Sequence, residues 1–197
     1  MTKEAIYNAF PTTEQKEQCI RLLAEQLVAS GNEDALLRAI GVPLLEELHI
    51  LAAKAQLSRM TITRDNRIIL TDYNKEIVMQ PVHKTVYFLF LNHPEGINFK
   101  DLSEYKDELK AIYSRIAPNA EREKIETVVA HLTDPLDNAI NEKCSRIKNM
   151  FMSIMDEYTA SYYVISGHKR KEIHNSSRVW FTRHHSITLP RELVTFE

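Results

Sequence analysis

The chain has 197 residues, of which 44% are hydrophobic and 26% charged, and its formal net charge at neutral pH is −2. This length exceeds a usual domain of roughly 100–150 residues, so one domain with an appendage or two small domains is expected. The composition excludes extended disorder, and the slight acidity excludes nucleic-acid binding by bulk charge, so any such contact must rest on a local patch.

Charge is nonetheless polarised along the chain. Residues 1–57 carry 5 Lys/Arg against 8 Asp/Glu, residues 101–134 again 5 against 8, and residues 135–183 carry 8 against 5. The two cysteines, Cys19 and Cys144, sit on helical apolar stripes and form neither a disulfide framework nor a metal motif. The N-terminal stretch M-T-K-E-A-I-Y-N-A-F-P lacks the apolar core of a signal peptide, and no run approaches the roughly 20 residues of a membrane span, which predicts a cytoplasmic protein with no membrane partner.

In chain order, residues 12–57 read as helices. Thr12 and Gln15 have capping-box spacing after Pro11, and Cys19, Leu22, Leu23 and Leu27 supply an apolar face that Ser30-Gly31-Asn32 ends. A second helix runs from Glu33 to Ile40 and stops at Gly41; Pro43 opens a third carrying Leu44, Leu45, Leu48 and Leu51. Residues 1–57 are therefore expected to form a helical segment or small bundle.

The periodicity changes at Ser58. Arg59–Thr63, Arg67–Thr71 and Glu76–Gln80 are short β-branched segments separated by Asp65-Asn66 and Asp72-Tyr73-Asn74, which predicts three antiparallel strands. Pro81 opens a helix so apolar, from Val82 through Leu91, that it must be central to the core. Helical spacing resumes over Phe99–Ile116 and Ala120–Leu132. Thr133-Asp134-Pro135 then supplies a cap and an N1 proline for a helix expected to run to about Tyr158. Tyr162–Ile165 and Val179–Phe181 read as strands of a hairpin, with the basic, glycine-marked segment 166–173 between them. The fold class expected is α+β: an N-terminal helical segment (1–57), a domain with a small antiparallel sheet, helices and a C-terminal hairpin (58–183), and a tail (184–197).

Within the last long helix, Ile140 to Phe151 reads I-N-E-K-C-S-R-I-K-N-M-F. At 3.6 residues per turn Ile140, Cys144, Ile147 and Phe151 share one stripe, while Asn138, Glu142, Ser145, Arg146 and Asn149 face the other way. Strands, three helices and a hairpin is the order of a winged helix. Ile77–Leu102, I-V-M-Q-P-V-H-K-T-V-Y-F-L-F-L-N-H-P-E-G-I-N-F-K-D-L, and Ile140–Phe151 with its Ser145-Arg146 together resemble the effector domains of OmpR/PhoB-type response regulators. That resemblance covers about residues 58–183. It implies a winged-helix, helix-turn-helix type of DNA-binding domain and a role in transcription regulation. This chain departs from the pattern in two places: Gly167 stands alone where the family wing has Gly-x-Gly-Tyr, and a helix at Ala120–Leu132 replaces a short loop. Residues 1–57 lack the βα alternation of a receiver domain.

If the polar face of this helix enters a major groove, Arg146 and Lys148 meet guanine or phosphate, and Asn138, Asn141 and Asn149 meet adenine edges, with Ser145 between them. Lys169, Arg170 and Lys171, supported by Arg178 and Arg183, would touch phosphate from the hairpin, although basic residues at a hairpin also guard against edge pairing. A solvated or protein-facing surface explains the same helix face, and Glu142 lies among the cations. The alternative function is therefore a protein-interaction or dimerisation module without DNA binding, with 12–57 as the partner surface. For catalysis the sequence offers no nucleophile elbow, phosphate-cradling glycine loop or zinc-protease helix motif. The eight histidines show no ligand spacing. No enzyme, metal or cofactor is expected.

Overall fold

A computed structural model describes residues 12–173 and 179–197, and divides the chain between Ala52 and Ala53 into two compact units. The first contains α1 (Thr13–Ala29), α2 (Glu33–Ile40) and most of α3 (Val42–Ala55). The expected capping box is present: the Gln15 N–H donates to Thr12 Oγ1 (3.2 Å) and the Thr12 N–H to Gln15 Oε1 (3.3 Å). At the other end Ser30 Oγ donates to the Gln26 carbonyl (2.8 Å), and Gly31 turns the chain at φ +68°. Gly41, at φ +79°, closes α2 through its N–H to Leu37 O (2.8 Å). These are local devices, which is why the sequence reports them so directly.

The second unit opens on three short strands, β1 (Met60–Ile62), β2 (Ile68–Leu70) and β3 (Lys75–Ile77), paired antiparallel. Asn66 and Asn74 make the two turns at positive φ (60° and 49°), a region short amide side chains tolerate. Met60, Ile62, Ile68, Leu70 and Ile77 point to the core, while Arg67 and Glu76 pair on the outer face. Arg59 grips Asp72 across the sheet end (Nη2–Oδ1 2.7 Å), and that grip holds the Asp72 carboxyl down at about 2. β3 is shorter than expected from the sequence because Val78 onward leads into the next helix.

Residues 184–197, expected as a tail, are structural. After a short 3-10 turn (Arg191–Leu193), β6 (Val194–Phe196) lies parallel to β1, with Met60 opposite Val194 and Ile62 opposite Phe196. The sheet is therefore mixed, in the order β3-β2-β1-β6. Three residues carry too little periodicity to announce a strand whose partner lies at the other end of the domain.

α4 (Pro81–Asn92) is the core helix anticipated. Val86 to Leu91 are all buried, along with His83 and Thr85. Pro81 sits at its first position, where a missing N–H costs nothing. His93 fastens its end, bonding Glu95 through Nδ1 (2.8 Å) and Glu108 through Nε2 (2.9 Å). A 3-10 turn (Phe99–Tyr105) leads into α5 (Lys106–Ile116), so the single helix expected over 99–116 begins in tighter form after Asn98 caps it. α6 (Arg122–Leu132), α7 (Ala139–Met152) and the one-turn α8 (Glu157–Ala160) follow.

α7 is shorter at both ends than the sequence implied. Asp134 does not cap it: its Oδ1 accepts from the Leu136 N–H (2.9 Å) and its carbonyl from Asp137 N–H (3.1 Å), forming a separate turn. Asp137 Oδ1 instead accepts from Ala139 N–H (3.0 Å). At the far end Ser153 Oγ folds back onto Met150 O (2.7 Å), and Asp156 caps α8 through Thr159 N–H (3.0 Å). Short polar side chains thus compete with helix continuation at both places.

The hairpin also differs. Tyr163 and Val164 bond back to the Ala160 carbonyl (2.9 and 3.1 Å) and are buried core residues outside any strand. β4 (Ser166–Ile173) contains the basic segment itself, paired antiparallel with β5 (Val179–Ser186). Ile97 bridges to His185 by reciprocal bonds of 2.9 and 2.8 Å, so the stretch after α4 forms a third rung beside β5. The His185 ring stacks on Phe99 at 3.6 Å, and burial lowers its pKa to about 4, keeping it neutral.

Gly96 makes this docking work. It has φ +86°, and a Cβ there would lie 3.1 Å from the His185 carbonyl oxygen and 3.2 Å from His184 Cβ. Gly96→Ala should therefore destabilise the protein by about 1–3 kcal/mol, the range for residues held in disfavoured backbone regions. Gly31→Ala, whose Cβ would meet open space, should cost less. Denaturant titration of the two variants checks the order.

Candidate nucleic-acid interface

Three rings set the orientation of α7. Phe151 lies against Tyr87 of α4 (centroids 5.5 Å) and Tyr163 (5.6 Å), all three essentially without exposure. The Tyr163 hydroxyl donates to the Ser58 carbonyl (2.7 Å) at the base of the sheet, and the Tyr87 hydroxyl reaches Met60 Sδ (3.5 Å). Ile140 and Ile147 continue the buried stripe. Cys144 shares it, half-buried, and burial pushes its thiol up to about 12, which makes it a packing residue with little thiolate character.

With that stripe fixed, the helical period places every polar residue singled out in the sequence on the outside. Asn138, Asn141, Ser145, Arg146, Lys148 and Asn149 are all exposed. They do not all present free groups. Asn141 Nδ2 donates to Asn138 Oδ1 (2.9 Å), Arg146 Nη2 meets Glu142 Oε1 (2.8 Å), and Lys148 Nζ meets Glu157 (3.2 Å). Lys143 Nζ shares the Glu142 carboxylate at 3.5 Å, and the two cations hold that carboxyl below its usual range. Exposed pairs of this kind are weak because water screens them, so a phosphate can displace the carboxylate cheaply.

On the hairpin, Lys169, Arg170 and Lys171 lie along β4 opposite Arg183, Thr182 and Phe181. Their side chains are outside what the structure describes, and Arg178 lies outside the described residues altogether. Gly167 opens the face beside them: a Cβ there would fall 2.6 Å from Arg183 Nε, so the glycine gives the arginine room to lie across the strand.

One feature of this region has no signal in the sequence. A groove of about 530 Å3 runs between the β3–α4 linker and α7, with Val78, Gln80 and His83 on one wall and Arg146, Asn149 and Met150 on the other. His83 reads from the sequence as one more polar residue in an apolar helix; only the packing of α7 reveals that it is buried with both ring nitrogens unpartnered. Among the described residues no group of three or more His, Cys, Asp or Glu is placed to hold a metal ion, and no helix is long and apolar enough to cross a membrane. Comparison with family models, curated proteins and solved structures found no match to the chain.

The two faces of α7 should respond oppositely to truncation. Phe151→Ala removes a fully buried ring and should cost about 3–5 kcal/mol, whereas Arg146→Ala should change stability by no more than about 0.5 kcal/mol. Chemical denaturation of both variants measures the contrast.

Proposed function

We propose that residues 53–197 form a winged-helix domain that binds duplex DNA without catalysing a reaction, and that it serves transcription regulation. In this reading α7 docks in the major groove and the β4–β5 hairpin lies along the flanking backbone. The observation that carries the proposal is the division of α7 into a stripe locked against α4 and an outer face of Asn, Ser, Arg and Lys. Supporting it is the element order: a small sheet, α4, a short rung at Ile97, helices, then a hairpin whose second strand joins that rung. α6 stands where the resembling regulators have a loop, so contact with polymerase is no part of the proposal.

Electrostatics define the character of this docking. Arg146 and Lys148 must exchange Glu142 and Glu157 for phosphate or base edges, which makes affinity modest and salt-sensitive. Fluorescence anisotropy with a mixed-sequence duplex at two salt concentrations provides the test. Arg146→Ala with Lys148→Ala should weaken binding and reduce the logarithmic salt slope by about one per lost phosphate contact. An unchanged affinity and slope would defeat groove docking by α7.

A second reading, a protein-interaction or homodimerisation module acting through 12–57, is favoured by the first unit. Among its described residues α1 and α2 bury no side chain, and Ile20, Leu22 and Leu23 are each more than half exposed. No duplex binding at low salt, together with a sedimentation mass that falls to the monomer in Leu22→Glu, would select this reading over the first.

A further inference from the structure

We propose that the groove between the β3–α4 linker and α7 is a phosphate-binding site, with the N-terminus of α4 and the His83 imidazole as donors and Arg146 as the counter-charge. Three independent features converge there. α4 is twelve residues long and starts from Gln80 in extended conformation, with no side chain capping it. Pro81 contributes no N–H, which leaves the amides of Val82 and His83 at the positive end of the helix dipole. Such an end is a ready anion site when something else directs an anion to it.

That direction comes from His83. Its side chain is 3% exposed and lines the groove, yet neither Nδ1 nor Nε2 has a hydrogen-bond partner in the protein. A buried polar group left this way is destabilising, and a bound acceptor would satisfy it. An oxyanion is the acceptor that fits, because the charges facing His83 are Lys143 and Arg146 against the single carboxylate of Glu142, all on α7. Burial first, and then these two cations, hold the imidazole below its ordinary pKa, so it is neutral and offers one N–H. An arriving dianion reverses that balance and favours the imidazolium, which donates from both nitrogens. Val78 and Met150 add apolar surface at the edge of the groove.

The phosphate has two chemical sources: the backbone of a duplex lying along α7, or a small phosphorylated ligand. The first rests on the DNA-docking proposal above and the second does not, so the experiment has an arm for each. Long-range 1H–15N spectra of the full chain follow the His83 ring through a pH titration with inorganic phosphate, against chloride at matched ionic strength, and then with a short duplex. Phosphate should raise the His83 pKa, and Arg146→Gln, an exposed and fold-neutral change, should weaken that response by about two- to fivefold. Movement of His83 by inorganic phosphate and by duplex supports the site with a backbone phosphate as occupant. Movement by inorganic phosphate alone supports the site with a small ligand as occupant. A His83 ring that responds to neither beyond the chloride control overturns the site, and if the duplex still binds in that case the DNA-docking proposal stands without it.

Discussion

The packing of Phe151 between Tyr87 and Tyr163 is the contact on which the rest of the second unit depends. It joins α7, α4 and the chain beyond α8 in one buried stack, and the hydroxyls of the outer rings tie that stack to the sheet at Ser58 and Met60. Because aromatic side chains bury large areas with fixed geometry, this arrangement permits α7 little rotation about its own axis. The polar residues opposite that stripe are consequently turned outward as a set. A face composed of Asn138, Asn141, Ser145, Arg146, Lys148 and Asn149 follows from where the rings go.

The same constraint explains which parts of the molecule were legible in the sequence. Caps such as Thr12–Gln15, the stops at Gly31 and Gly41, the proline start of α4 and the Asn turns of the sheet depend on neighbours a few residues away, and each lies where its local chemistry puts it. The polar face of α7 was legible for the same reason, since a 3.6-residue period needs no knowledge of the partner. Features decided by distant contacts were not legible. β6 pairs with β1 from the far end of the chain, and the apolar run Tyr162–Ile165 reads like a strand although Tyr163 is buried by packing on Phe151 of α7. The ends of α7 were missed because Asp134 and Ser153 bind neighbouring backbone groups in non-helical turns, a local competition that sequence periodicity does not weigh.

The candidate interface shows a similar split. Residue types on α7 were identified in advance, but their pairing was not: Glu142 and Glu157 occupy the two cations most suited to DNA. Placing Lys169, Arg170 and Lys171 within β4 spreads their charge along a strand, where the sequence had placed it between strands. His83 lies beyond what any motif could reveal, since its environment exists only once α7 has packed beside the start of α4.

The most direct test of α7 as a DNA-docking surface is the response of its side-chain amides to duplex. Nitrogen-15 spectra of the full chain with increasing duplex should show saturable shifts at Asn138, Asn141 and Asn149, with Gln15 and Asn32 of the first unit unmoved. Saturable binding that leaves those three asparagines unchanged, or shifts confined to residues 12–52, would contradict groove docking by this helix.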